Sequence, residues 1–376
     1  MSDTNRIKYL DFAKGIAILS ILLGHIIEGY CWQVGHSYHV FLFFIVSGYF
    51  ISRKTSLGSF VLKKARSLLF PIVFSQIVIF GILLVSFFFL HGKEGKDLFL
   101  KNYIDIRLGA NGSAPDMQLG ILWFLVALFC AAVIVRSILL IRNEIAGTVC
   151  AILCFLTGRL ISGHCHPLLS EVVAGLHAVP YLYLGYLFKT HNDSVRRFYI
   201  KYRNLLTVVI ALLASVYLLV PSIHKVDFIL CDFRGVEDYL GPLVTVAFVL
   251  ILSRFATRKE NIVASFVSTI GRSSLFILLV HYCEMTFFQW INVEELYNVP
   301  DALLAPIRIA FILTLGYALS KLGFLRRAFG LNLAHEAPSQ KPAHEDLDPG
   351  TTYETLDPKS SPKALDLKPA AKSEKL

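Results

Sequence analysis

The chain has 376 residues, of which 55% are hydrophobic and only 17% are charged, and its mean hydropathy is +0.60. These values exclude an ordinary soluble domain and predict an all-α, polytopic transmembrane helical bundle. The formal net charge is +9, but residues 331–376 carry −2 and the preceding 330 residues carry +11. No long basic tract or nucleic-acid-binding module accompanies this excess, so we expect no nucleic-acid partner.

Ten hydrophobic stretches are long enough, or nearly long enough, to cross a bilayer, which requires about 20 apolar residues per helix. The second is short and the fifth is marginal, so a tilted arrangement, a re-entrant arrangement or shielding by the rest of the protein remains open for both. The ten predicted helices span about 10–29, 38–52, 68–90, 119–141, 146–162, 170–188, 204–221, 239–256, 268–290 and 302–320.

The distribution of Lys and Arg predicts the orientation of the bundle. If the N-terminus is cytoplasmic, 21 Lys and Arg residues lie on the inner side and six lie in the outer loops. Cytoplasmic loops are the ones enriched in these residues. We therefore expect both termini to be cytoplasmic, with about ten crossings.

The composition changes near residue 331 and predicts a two-part organisation. The last 46 residues contain six of the 14 Pro, many charges and almost no aromatic residue. Such a segment buries too little apolar surface to offset the entropy lost on ordering. We predict a transmembrane domain over residues 1–330 and a disordered cytoplasmic tail over residues 331–376.

The first predicted helix carries ionisable residues at several depths in the membrane. Lys14 and His25 are 11 residues apart. This spacing separates them by about 16 Å along a helix axis and places them on nearly the same face. Glu28 follows His25 at i+3. An ionisable residue inside a membrane helix is a functional candidate, although a hydrogen bond to a neighbouring helix is an alternative role.

The second predicted helix begins with His39, at roughly the depth of His25. Imidazoles from two adjacent helices would then converge with Glu28. One histidine can act as a base near neutral pH, while a partner orients it or holds a substrate oxygen. We therefore predict a catalytic set of His25, Glu28 and His39.

The segment "LDFAKGIAILSILLGH" resembles the first helix of the acyltransferase-3 family of integral membrane O-acyltransferases, in which ten residues separate a basic residue from a functional histidine. Lys14 stands where most members have Arg, so the charge is kept but the bidentate fork is lost. "YHVFLFFIVSGYF" resembles the family's "FHMPLFFFISGYF", with Val40 and Phe41 replacing Met and Pro. Four more segments follow in order, and these are "FVLKKARSLLFP", "LWFLVALF", "VPYLYLGYLFK" and "GRSSLFILLVH".

The resemblance covers about residues 6–325 and is nearest to the fucose 4-O-acetylase-like branch. It implies transfer of an acyl group from cytoplasmic acyl-CoA, usually acetyl-CoA, to a sugar hydroxyl on the outer face. No permanently bound cofactor is expected. Lys14, Lys63, Lys64 and Arg66 are the candidates for binding the CoA phosphates, although positive-inside topology alone accounts for most of these charges.

Three further residues are weaker candidates for substrate binding. His281 and Glu284 are i, i+3 on the ninth predicted helix, and either line the same cavity or pair with Arg159 or Arg308. Trp123 in "LWFL" contacts substrate or serves packing. We expect no metal site, because the local spacing of His164, Cys165 and His166 does not place three ligands around one ion.

The sequence thus predicts a membrane O-acyltransferase that acts on a cell-surface or lipid-linked glycan in a cell membrane, most simply the bacterial cytoplasmic membrane. His25 would remove the proton of the acceptor hydroxyl as its oxygen attacks the thioester. A covalent acyl intermediate on the protein remains open. A secondary transporter or exporter using intramembrane His and Glu is the alternative, although no inverted repeat supports it. A catalytically silent scaffold is the third alternative.

Overall fold

The computed structural model describes residues 7–27, 29–107, 119–162, 169–220, 228, 233, 235–259, 261–291 and 301–331. Every regular element within these ranges is helical, which confirms the predicted fold class. Nearly all of the predicted tail lies outside the described residues, so its disorder stays a prediction.

The helices are numbered here in chain order. In the first half of the chain they are α1 (Lys8–Ile27), α2 (Gly29–His36), α3 (His39–Tyr49), α4 (Leu57–Lys64), α5 (Phe70–Arg107), α6 (Trp123–Ile138) and α7 (Glu144–Ile161). In the second half they are α8 (Ser170–Thr190), α9 (Asn192–Lys201), α10 (Arg203–Leu219), α11 (Glu237–Ala256), α12 (Ile262–Arg272), α13 (Ser274–Ile291), α14 (Asp301–Lys321) and α15 (Gly323–Ala328).

Six helices of the described residues are long and apolar enough to cross a membrane, and the number rises to eight if each of two bent pairs is one span. The bent pairs are α9 with α10 and α12 with α13. These eight account for all predicted spans except the second and the sixth. The second corresponds to α3, whose 11 residues cover only about 16 Å and are too few to cross alone. The sixth corresponds to α8, which has 21 residues but is not among the eight.

The chain reverses after α1, and this reversal forms a helix where the sequence suggested a loop. Gly29, with a φ of +57°, begins α2 in a left-handed conformation that glycine adopts without strain. A Cβ on Gly35 would lie 2.8 Å from the carbonyl oxygen of Ser20, and one on Gly24 would lie 3.2 Å from the Cα of Trp32. This pairing shows that α2 runs antiparallel to α1 in close contact with it.

Two glycines bring α3 against α8. A Cβ on Gly48 would lie 1.9 Å from the carbonyl oxygen of Leu182, and a Cβ on Gly185 would lie 1.9 Å from that of Ile45. Small residues of this kind allow membrane helices to approach backbone to backbone. The two contacts give an antiparallel register, which fixes the position of α3 within the bundle.

Helix α5 breaks at Gly92, whose φ of 65° and ψ of −152° are not helical. The chain folds back after the break, so that the residues after it pack against the residues before it. The Tyr103 hydroxyl donates a hydrogen bond to Oε1 of Gln76 at 3.0 Å. The ring of Phe99 also stacks on Phe87 with centroids 5.1 Å apart. Residues 93–107, which the sequence predicts as part of an outer loop, are therefore helical and pack against the part of α5 that precedes Gly92.

Candidate active site

Four histidines from four helices lie ring against ring and form what we call the histidine cluster: His25 of α1, His36 of α2, His39 of α3 and His281 of α13. The ring centroids of His25 and His36 are 5.1 Å apart, and those of His36 and His39 are also 5.1 Å apart. On the other side of His25, the His281 ring centroid is 5.6 Å away. The structure thus places His36 between His25 and His39, and the catalytic roles of His25 and His39 stay predictions.

The antiparallel pairing of α1 and α2 explains why these rings meet. Side chains on a helix lean toward its N-terminus, so His25 leans down α1 while His36, at the end of α2, leans back toward Trp32. The ring of His36 stacks on Trp32 with centroids 4.1 Å apart, and its Nδ1 lies 2.8 Å from the Trp32 carbonyl oxygen. His39 follows one turn later, with Nδ1 hydrogen-bonded to the carbonyl oxygen of Gly35. Backbone carbonyls therefore orient both rings.

The cluster has a buried side and an accessible side. His281 is fully buried and His39 is 5% exposed, whereas His25 and His36 are only partly buried. The cluster is therefore most open at His25 and His36. Glu28, predicted to support His25, lies outside the described residues.

An ion pair continues the cluster on its buried side. Oε2 of Glu284 lies 3.4 Å from Nδ1 of His281, and its other carboxylate oxygen accepts a hydrogen bond from Nε of Arg308. The guanidinium of Arg308 also lies over the ring of Phe288, 4.5 Å from its centroid. Of the two partners considered for this segment, Arg308 is the one in contact, since Arg159 donates instead to the carbonyl oxygen of Phe233.

Lys14 of α1, a predicted donor-binding residue, is partly buried and pairs with Asp11 one turn earlier, with 2.7 Å between Nζ and Oδ1. The helix also packs tightly here, because a Cβ on Gly15 would lie 2.1 Å from the carbonyl oxygen of Val267 in α12. Lys14 is thus held at the N-terminal part of α1, well separated along the helix from His25.

The other three predicted donor-binding cations lie around the π-helical turn Ala65–Leu69 between α4 and α5. Lys63 is exposed, and Nζ of Lys64 lies 5.8 Å from the ring centroid of Phe60. Arg66 donates to the carbonyl oxygens of Ala328 and Arg327 at the end of α15, at 2.9 and 2.8 Å. The three cations thus differ in their contacts among the described residues. Donor binding by these residues stays a prediction.

Trp123, predicted to contact substrate or to pack, begins α6 within an aromatic group. Its ring stacks on Phe228 with centroids 6.1 Å apart, and Phe228 in turn meets Phe41 and Phe44 of α3. These contacts favour packing, and a substrate contact stays a prediction.

Sequence reasoning left His36 out of the candidate site and named Arg308 only as one of two alternative partners of His281 and Glu284. For His36 a signal was present: Trp32, His36 and His39 are spaced by four and three residues, which places them on one face of a helical segment. For Arg308 no local signal exists, because its partner Glu284 is 24 residues away. Within the described part of the chain, no group of three His, Cys, Asp or Glu side chains is arranged to hold a metal ion.

Comparison with known proteins assigns the chain to a family. The acyltransferase-3 family model, described as an acyltransferase domain, matches residues 7–321, a range that includes the histidine cluster and the Glu284–Arg308 pair. Searches of the curated proteins and of the solved structures give no match, and the fucose 4-O-acetylase-like branch stays a prediction. The match covers most of the chain and agrees with its several membrane-spanning helices. The chain belongs to the acyltransferase-3 family and is a multi-pass membrane acyltransferase.

Proposed function

We propose that the protein transfers an acyl group, in the first instance acetyl, from cytoplasmic acyl-CoA to a hydroxyl of a cell-surface or lipid-linked glycan. The observation that carries this proposal is the histidine cluster, in which a partly exposed His25 is backed by buried imidazoles within a membrane bundle. A positioned imidazole is the usual base for activating a hydroxyl near neutral pH. The protein would act in a cell membrane, most simply the cytoplasmic membrane of a bacterium.

In the proposed mechanism His25 is the general base. It accepts the proton of the acceptor hydroxyl while the oxygen forms a bond to the thioester carbonyl carbon. The carbon–sulfur bond then breaks, and CoA leaves as a thiolate that takes up the proton from His25. His39, which is linked to His25 through the ring of His36, would help to orient the base. Glu28 is proposed as a second residue that orients His25. In a variant, the acyl group first forms a covalent intermediate on the protein, and the acceptor hydroxyl attacks that intermediate.

The donor and acceptor would approach from opposite ends of α1. Lys14 and His25 are separated by about 16 Å of helix rise, so with a cytoplasmic N-terminus Lys14 lies toward the CoA phosphates and His25 toward the outer face. Lys63 and Lys64 are additional candidates for the phosphates. Arg66 is the weaker of these candidates, because two of its N–H groups already bind carbonyl oxygens of α15.

The predicted alternatives gain no support from the family match. A transporter or a silent scaffold would require the acyltransferase domain to serve another purpose, and no contact of the described residues favours either. His281 and Glu284 remain candidates for contact with the acceptor, and Trp123 remains a weaker one.

The test is acyl transfer by the purified protein in lipid vesicles, with labelled acetyl-CoA on one side and envelope glycan from cells lacking the protein on the other. His25→Ala is expected to insert normally and to lose on the order of 10²- to 10⁴-fold in turnover, the usual contribution of a positioned base. His191→Ala is the matched control, because His191 is exposed and contacts Glu144 at 2.9 Å, outside the cluster. Near-normal turnover of His25→Ala would refute the assignment of the base.

A further inference from the structure

A line of side-chain contacts runs from the accessible side of the cluster into the bundle: His25, His281, Glu284 and Arg308. The His25 and His281 ring centroids are 5.6 Å apart, and Nδ1 of His281 lies 3.4 Å from Glu284. Glu284 in turn pairs with Arg308. The side chains of His281, Glu284 and Arg308 are only 0, 4 and 13% exposed. The mechanism proposed above uses only the first member of this line.

The antiparallel register of α13 and α14 holds the inner end of the line in place. The Ser273 and Ser320 hydroxyls are 3.0 Å apart, and a Cβ on Gly316 would lie 2.8 Å from the Cα of Ile277. Glu284 and Arg308 meet in the same register, farther along the two helices. Arg308 therefore binds one carboxylate oxygen of Glu284, and the other oxygen lies 3.4 Å from Nδ1 of His281.

His281 is buried, and neither of its ring nitrogens makes a hydrogen bond among the described residues, but Nδ1 is the one that faces the Glu284 carboxylate, at 3.4 Å. A buried polar atom without a partner calls for an explanation, and a catalytic role is one of those that proteins provide. A neutral imidazole carries one N–H and one lone pair, and the group facing one nitrogen decides which of them carries the proton. Because an ionised carboxylate can only accept, Glu284 favours the proton on Nδ1 and leaves the lone pair on Nε2.

We propose that Glu284, held by Arg308, is a positioning residue for acyl transfer: it fixes His281 as the Nδ1–H tautomer, so that Nε2 accepts a hydrogen bond from His25 when His25 becomes charged. This inference rests on the proposed role of His25 as the base. Among the described residues, the charged and titratable groups in contact with His281 are His25 of α1 and Glu284 on its own helix, and these in turn contact His36 of α2, which meets His39 of α3, and Arg308 of α14. Of these, Glu284 carries the negative charge that stabilises the imidazolium, and Arg308 offsets part of it.

Removal of that negative charge should weaken the base without displacing the substrates. We expect Glu284→Gln to lower kcat by about 10- to 100-fold, with the KM values for acetyl-CoA and glycan nearly unchanged. Without the carboxylate the imidazolium is less favoured, so the acidic limb of the pH–rate profile should move to lower pH. Glu284→Asp keeps the charge and should restore part of kcat and the position of that limb.

The decisive measurement does not depend on activity. Imidazole ¹⁵N shifts of the purified full-length protein report the tautomer of each histidine, and the signal lost in His281→Asn identifies His281. We expect an Nδ1–H tautomer for His281 in the wild type and loss of this preference in Glu284→Gln. Glu171→Gln is the control, because Glu171 is a second buried carboxylate, 4% exposed, on α8 outside the cluster.

An unchanged His281 tautomer in Glu284→Gln would overturn the proposal. So would a pH–rate profile of Glu284→Gln that coincides with that of Glu171→Gln. If the wild-type protein transfers no acyl group from acyl-CoA, the proposed function fails by itself, while the tautomer measurement still decides the role of Glu284.

Discussion

Replacement of Gly48 by Ala is expected to destabilise the bundle and to slow acyl transfer, because α3 and α8 meet backbone to backbone at this residue. A Cβ at position 48 would lie 1.9 Å from the Leu182 carbonyl oxygen and 2.6 Å from its carbon. These atoms belong to the backbone of α8, so no side chain can move aside to relieve the overlap.

The size of the effect follows from the distance that the helices would have to move. Ordinary van der Waals contact begins near 3.4 Å, so α3 and α8 would have to separate by about 1.5 Å. Overpacking of a close-packed interior costs about 1–3 kcal/mol in the free energy of unfolding. Because His39 begins α3, the shift would also displace the histidine cluster, and misplacement by about 1 Å can cost on the order of 10²-fold in rate.

Gly81→Ala provides the matched control. Gly81 lies within α5, and a Cβ added there would meet no heavy atom within 4 Å, so Ala should be neutral at this position or stabilise the helix by about 0.5–1 kcal/mol. Thermal unfolding in detergent and the vesicle transfer assay would be measured for both variants. If Gly48→Ala unfolds at the same temperature as Gly81→Ala and retains normal turnover, the close approach of α3 and α8 is refuted.

Two further predictions concern topology and the tail. Cysteines engineered within residues 189–203 should react only with reagents that enter the cytoplasm, because that segment belongs to the inner side in the Lys and Arg distribution; labelling from outside would reverse the orientation. Truncation after Gly330 should leave insertion and acyl transfer intact, because the removed composition cannot form a packed core; a truncated protein that inserts but is inactive would show that the tail takes part in function.

The helices of the fold were largely predictable from hydropathy, because a membrane helix must satisfy its backbone hydrogen bonds internally and cover itself with apolar side chains. Helix α2 was not predictable in this way. Its eight residues include two glycines, a glutamine and a histidine, and it is formed through contact with α1. The fold-back of residues 93–107 was not predicted for a similar reason. Its polar residues are typical of a loop, and the contacts of Phe99 and Tyr103 that hold it as a helix are with residues far away in the sequence.

The resemblance segments acquire a physical meaning from the packing of α3 on α8. "SGYF" and "LGYLF" each contain a glycine, and the structure places Gly48 and Gly185 where each faces the backbone of the other helix. Any side chain at either position would force the two helices apart. The sequence pattern therefore encodes a helix contact, and that contact positions the helix on which His39 lies.

The candidate site was predictable in its residue types but not in its connections. Ionisable residues in membrane helices singled out His25 and His39, whereas the links through His36 and His281 depend on how four helices pack.

The Glu284–Arg308 pair adds a reason to regard this packing as functional. Desolvation largely cancels the attraction within a buried ion pair, so apolar residues of similar volume would stabilise the bundle as well or better. Stability is thus a weak reason for the pair, whereas a charge directed at His281 is a sufficient one.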